Sequence, residues 1–220
     1  MGVANGDGMH GADRGLRDLV ASASLVVADG MPLLWAAKLL GDPLPARVTG
    51  ASLIFSLTEA AARHGLSIYL LGGDPGVPAQ AGEALAARYP GLVVAGSGSP
   101  EVGREPSPAT VAAVRAQLTA AKPDIVYVGL GFPKQERLIT AVSSALPGSW
   151  FISCGAAIPF AAGALPRAPQ WMQQSGLEWA FRLLSEPRRL FRRYVVDDMP
   201  YAARLLSSAA LHRRAGRRAR

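Results

Sequence analysis

DIVYVGLGFPKQE, residues 124–136, carries the reading of the fold. Ile125 to Val128 form an unbroken apolar run, the pattern of a strand buried on both faces in a parallel sheet. Gly129 and Gly131 then interrupt the strand, and Pro133 stands where a helix opens. The same sequence of apolar run and glycine recurs outward from this point: SLVVADG at 24–30, SIYLLGG at 67–73, LVVAGSG at 92–98 and SWFISCG at 149–155. Helix-like segments lie between and beside them at 32–40, 52–63, 76–88, 107–121 and 134–145. This alternation predicts an α/β fold, a doubly wound, three-layer, Rossmann-like parallel sheet.

After Gly155 the pattern changes. Residues 156–170 carry three prolines and read as a connection, followed by two or three helices with arginines interleaved among Trp171, Trp179, Leu184 and Phe191. The expected organisation is an α/β catalytic body over 1–165, a helical, arginine-rich appendage over 166–212 and a disordered basic tail over 213–220.

The chain of 220 residues is half hydrophobic, with 24 Gly and 17 Pro, as suits one substantial turn-rich domain rather than a disordered chain. Its net charge of +7 is unevenly placed, because the residues from Arg182 onward carry eleven arginines against Glu186, Asp197 and Asp198. A neutral body with a cationic helical end suits a peripheral membrane enzyme or a nucleic-acid binder. Zinc-finger, aromatic RNA-binding and helix-turn-helix patterns are absent, which disfavours nucleic acid. The single cysteine, Cys154, excludes an internal disulfide and a cysteine-built zinc site, and reads as a buried thiol. His10, His64 and His212 lack ligand spacing, so no metal site is expected. No apolar run reaches the roughly 18 residues of a spanning helix, and the first residues do not read as a signal peptide, so the expected compartment is the cytoplasm.

Parallel sheets of this kind bind ligands at the carboxyl ends of their strands, which puts Asp29, Gly72, Gly73, Gly129 and Gly131 on the candidate rim. The irregular stretch at 96–108 reads as a loop crossing it. Gly129 and Gly131 permit close backbone approach to a diphosphate, Lys134 offers a counter-charge, and Gln135 and Glu136 offer polar groups to sugar or ribose hydroxyls. The plain alternative is a Pro-capped helix start with a solvated Lys-Gln-Glu face. Asp74 either accepts a ribose hydrogen bond or caps a helix, as Thr49 and Ser52 do in the plain reading. Trp35 reads as core packing. Walker and dinucleotide fingerprints are missing, which disfavours ATP and NAD.

Four segments together resemble the WecG/TagA/CpsF glycosyltransferase family: 25–53, 68–96, 123–139 and 165–194, nearly the whole chain in the family's order. The resemblance implies transfer of N-acetylmannosamine, or a related sugar, from a UDP-sugar to the GlcNAc of an undecaprenyl-diphosphate carrier. It assigns the general base to Asp29, whose local alternative is a helix cap, and places a pocket-facing cationic residue near the acceptor diphosphate at Arg47, whose alternative is an exposed turn arginine. Asn5 is the match for a pocket asparagine, although its spacing to Asp29 is slightly short and no threonine precedes Thr49. These departures imply either a modified pocket or a start that lacks an N-terminal strand. Where the family region carries an aspartate, this chain has Pro159, which bears on substrate selection. Arg182, Arg189 and Arg193 correspond to the family's basic appendage, expected to hold the UDP diphosphate while outer arginines meet an anionic membrane surface; a helical tail packed on its own body is the alternative. With no Asp-X-Asp signature, the implied mechanism is metal-independent inversion. Another UDP-hexose donor, an inactive homologue and a basic binding protein remain as competing readings.

Overall fold

The computed structural model describes residues 2–4 and 14–218. In chain order the elements are β1 (Gly2–Ala4), α1 (Arg14–Ala21), β2 (Val26–Ala28), α2 (Met31–Leu40), α3 (Gly50–His64), β3 (Ser67–Leu71), α4 (Val77–Arg88), β4 (Val93–Gly98) and α5 (Pro108–Ala121). They continue with β5 (Ile125–Val128), α6 (Lys134–Val142), β6 (Trp150–Ser153), α7 (Ala157–Ala161), α8 (Gln170–Ser175), α9 (Glu178–Ser185), α10 (Pro187–Phe191), a π-helical stretch (Arg192–Asp198) and α11 (Met199–Arg218). The protein is thus an α/β fold with a parallel sheet and C-terminal helices. It divides into two compact units, one containing residues 14–27 and 48–166, the other containing 28–47 and 167–218. Residues 28–47 group with the C-terminal helices, and α11 carries helix on through Arg218.

In the first unit, four parallel strands lie in the order β4-β3-β5-β6. Strand alternation sends successive side chains to opposite faces. Ile68, Leu70, Ile125, Tyr127 and Ile152 pack with Leu53, Ile54, Leu85 and Ile158 from α3, α4 and α7. Tyr69, Leu71, Val126, Val128 and Phe151 pack with Val114, Leu118, Leu138 and Val142 from α5 and α6. Helices therefore cover both faces, and each fully buried Leu or Ile contributes about 1.5–3 kcal/mol. Thr58 and Tyr127 are buried polar residues that satisfy one another, their hydroxyls 3.1 Å apart. At the opposite strand ends, Asp124 accepts from the Ser67 backbone N–H and hydroxyl, each at 2.7 Å, tying β3 to β5.

Helix ends follow local chemistry. Thr49 caps α3 by accepting from Ser52 N–H, and Ser107 caps α5 by accepting from Thr110 N–H. One expected strand departs from the sheet: β2 pairs with β1 in a separate two-stranded sheet, leaving Leu25 and Val26 about half exposed. An apolar run specifies a strand but not its neighbour, so its burial did not follow from its composition.

In the second unit, α2 packs against α11. Trp179 meets Tyr194 edge to face with ring centroids 6.4 Å apart. Trp35 is 50% exposed, correcting the expectation of core packing, and Trp171, Trp179, Leu184 and Phe191 are exposed as well.

Candidate functional site

The carboxyl rim of the first unit is built from backbone. Beyond the ends of the strands, Gly72 N–H donates to Gly98 O, Gly129 N–H to Leu71 O and Cys154 N–H to Val128 O, at 2.8–3.0 Å. The loops thus keep the strand spacing and lie side by side. A Cβ on Gly72 would stand 2.6 Å from Gly129 O, and one on Gly129 would stand 2.7 Å from Gly155 O. Gly72, Gly129 and Gly155 therefore form a backbone shelf in which neighbouring loops pack main chain against main chain.

Gln135, nearly buried on α6, fixes this shelf. Its Oε1 accepts from Gly131 N–H at 3.1 Å and Gly155 N–H at 3.3 Å, joining the β5–α6 and β6–α7 loops. Its Nε2 donates to Glu136 Oε1 at 2.8 Å. The second carboxylate oxygen, Glu136 Oε2, is buried and has no hydrogen-bond partner among the described residues. Buried carboxylate oxygens normally find donors, so Oε2 stands out as an unsatisfied acceptor in this loop. Gly129 and Gly131 spend their amides inside the protein. Lys134 opens α6 and is partly exposed.

The loop after β4 is tied to its neighbours. Ser99 Oγ donates to Asp74 O, and Arg137 donates to Arg104 O at 2.8 Å and pairs with Glu105. With α5, it borders an open cleft of about 290 Å³ lined by Gly98, Ser99, Glu101, Thr110 and Gln117. Asp74 is exposed, and Gly76 occupies the N-cap of α4. Gly73 follows Gly72 with φ +91 and has open space on its Cβ side, out to Val77 at 3.7 Å.

Cys154, at the end of β6, is fully enclosed, and burial pushes its thiol up to about 12, so it stays protonated and inert.

In the second unit, Gly30 holds the N-cap of α2, so Asp29 precedes the cap position; Asp29 itself is half-buried. Arg47 is not an exposed turn residue. Its Nη2 donates to Gln173 O at 3.0 Å and to Glu178 Oε2 at 3.2 Å, with the Arg47 and Glu178 side chains 17% and 12% exposed. Arg182 lies on α9 with a half-buried side chain. Asn5 falls outside the described residues, as do the side chains of Arg189 and Arg193. Sequence reasoning missed three contributors: Gly155, Glu178 and Gly176. Gly155 had the same strand-then-glycine signal as Gly72 and Gly129. Among the described residues, no group of three or more His, Cys, Asp or Glu is arranged to hold a metal ion, and no helix is long and apolar enough to cross a membrane.

A parallel α/β sheet with glycine-bearing loops at its strand ends belongs to the class of fold whose ligands bind at the carboxyl rim. More particularly, the chain belongs to the glycosyl transferase WecG/TagA/CpsF family, which it matches over residues 2–215. It is 29% identical over 171 residues to the N-acetylglucosaminyldiphosphoundecaprenol N-acetyl-beta-D-mannosaminyltransferase of Bacillus spizizenii strain W23, covering 78% of this chain and 64% of that one. It is 28% identical over 177 residues to the protein of the same description from Bacillus subtilis strain 168, covering 80% and 67%. The matched stretch thus spans about two thirds of these relatives' lengths.

Proposed function

We propose that this chain is an inverting, metal-independent glycosyltransferase that moves N-acetylmannosamine, or a related hexose, from a UDP-sugar to undecaprenyl-diphosphate-linked GlcNAc. The observation that carries the reading is the family match across residues 2–215, which takes in both the glycine rim and the C-terminal helices. The two relatives' names supply the sugar and the acceptor. In this reading the sheet rim serves as a Rossmann-like nucleotide shelf. Gly72, Gly73, Gly129 and Gly131 let the donor lie against main chain, Glu136 accepts from a donor hydroxyl, and Gln135 holds the loops in place. Lys134, Arg182, Arg189 and Arg193 offset the charge of the departing diphosphate.

Chemistry follows from the donor set. A sugar hydroxyl is a weak nucleophile, and a carboxylate that takes its proton during attack accelerates transfer about 10²–10⁴-fold. Asp29 has that role. As the acceptor oxygen bonds to the anomeric carbon, the bond to the UDP oxygen breaks, its electron pair leaves on UDP, and one in-line displacement inverts the centre. Arg47 meets the acceptor diphosphate, and Asn5 lines the pocket. In this reading the enzyme works on the anionic inner face of the cell membrane, which the exposed aromatic and arginine side chains of the C-terminal helices support.

One observation favours a second donor. Pro159, within α7, stands where the family region carries an aspartate, so an apolar ring replaces a polar contact or a loop anchor. A different UDP-hexose, used in exopolysaccharide assembly, is the corresponding alternative. The test is acceptor-dependent UDP release, in EDTA, from a panel of UDP-sugars with a short-chain lipid diphosphate-GlcNAc acceptor. Release from UDP-N-acetylmannosamine alone supports the first reading, and release from another donor supports the second. No release from any donor, by protein with a cooperative unfolding transition, overturns both.

A further inference from the structure

We infer that the turn between α8 and α9, residues 176–178, positions both Asp29 and Arg47, and that Glu178 is a positioning residue for the transfer. The inference rests on the roles proposed above for Asp29 and Arg47. Residues 28–47 and the C-terminal helices belong to one compact unit, and the turn meets that segment near both of its ends.

At one end the meeting is steric. Gly176 terminates α8 with φ +76, and a Cβ there would fall 2.3 Å from Met31 Cγ and 3.0 Å from its sulfur. Met31 opens α2, and only Gly30 separates it from Asp29. The side chain that seats α2 therefore rests where Gly176 has none, two residues from the proposed base.

At the other end the meeting is electrostatic. Both protein acceptors of Arg47, Gln173 O and Glu178 Oε2, converge on Nη2. Among the described residues Nη1 and Nε make no hydrogen bond, so the guanidinium is anchored through Nη2 and the N–H groups of Nη1 and Nε are left for an anion. A planar guanidinium pinned at one nitrogen keeps its remaining N–H groups in a fixed direction, as charge-assisted contact with a phosphate oxygen requires. The anchor is itself rigid: Leu177 N–H donates to Met172 O at 2.8 Å and Gln173 Nε2 to Ala168 O at 2.6 Å. A mostly buried ion pair adds little net stability over an apolar replacement. Its use here is to fix the direction of Arg47.

The experiment compares the full chain with Glu178→Gln and Gly176→Ala, using amide hydrogen exchange and steady-state transfer kinetics. Glu178→Gln keeps an acceptor near Arg47 and removes the charge; Gly176→Ala perturbs the other end. Exchange over residues 31–47 is expected to quicken roughly tenfold in each variant, the scale of weakening one charge-assisted hydrogen bond, while β3 and β5 amides keep their wild-type rates. In transfer, kcat/KM for the lipid acceptor is expected to fall roughly tenfold with UDP affinity within about twofold, and in an Arg47→Lys background Glu178→Gln has little further effect. Unchanged exchange over 31–47 overturns the positioning role whether or not the enzyme is active. Equal additional loss in the Arg47→Lys background also overturns it, because Glu178 would then act independently of Arg47. Quickened exchange in both variants, with a wild-type chain that transfers no sugar, upholds the positioning of the segment and refutes the function reading alone.

Discussion

Replacing Gly72 by alanine isolates what the backbone shelf requires. A Cβ at Gly72 would lie 2.6 Å from Gly129 O and 2.8 Å from Gly129 C, closer than real Cβ atoms come to other atoms. Gly129 cannot retreat freely, because its N–H is bonded to Leu71 O at 2.8 Å and the same residue lies against Gly155. Overpacking of this kind costs about 1–3 kcal/mol. The backbone at Gly72, φ +112, adds a further conformational cost of about 1–2 kcal/mol for any residue with a Cβ. The sum, about 2–5 kcal/mol, is a large part of a domain's stability. Gly131, φ +77 with no atom within 4 Å of its Cβ position, provides the control, since only the conformational cost of about 1–2 kcal/mol applies there. Urea unfolding followed by circular dichroism measures both. Gly72→Ala is expected to lose clearly more stability than Gly131→Ala and to weaken UDP binding. Equal losses, or wild-type stability in Gly72→Ala, would refute the close-packed shelf.

Three further outcomes follow from named contacts. Tyr127→Phe removes the partner of fully buried Thr58, and is expected to lower the unfolding free energy by about 1–3 kcal/mol in urea titration; a change within about 0.3 kcal/mol contradicts the buried pair. The Ser67 backbone N–H, followed by its hydroxyl, holds the Asp124 carboxyl below its ordinary range. A lowered folded-state value contributes stability above the unfolded carboxylate range, near pH 4, that is lost as pH falls through the folded value. The stability gap between wild type and Asp124→Asn should accordingly hold from pH 7 to about pH 5 and narrow below about pH 4; a gap constant into strong acid contradicts that linkage. Cys154, buried with its thiol pushed up to about 12, should resist iodoacetamide at pH 8 in the folded protein and react in urea; rapid alkylation under native conditions contradicts its enclosure.

Most of the first unit was legible because strands buried on two faces read as continuous apolar runs, and glycine marks where they stop. The runs at 67–73, 92–98, 124–131 and 149–155 each contain a strand of the sheet, and the five expected helices lie within a few residues of those observed. SLVVADG has the same local composition, yet its strand pairs with β1, because pairing depends on residues far away in sequence. The same limit hid the setting of Arg47, whose partner Glu178 lies 131 residues further on. Gln135 was legible as a polar group in the rim motif, but the two amides it joins belong to different loops, one of them 20 residues away. Trp35 shows the converse: an aromatic residue on an apolar helix suggested core, and half its surface is exposed.

The central claim, that this chain transfers a sugar with Asp29 as the base, is tested most directly by comparing wild type with Asp29→Asn in acceptor-dependent turnover at saturating donor, with UDP affinity measured on the same preparations. The account predicts a fall in kcat of at least about 10²-fold with UDP affinity within about twofold, since the change removes the proton acceptor and leaves the donor shelf intact. Turnover of Asp29→Asn within a few-fold of wild type would contradict it.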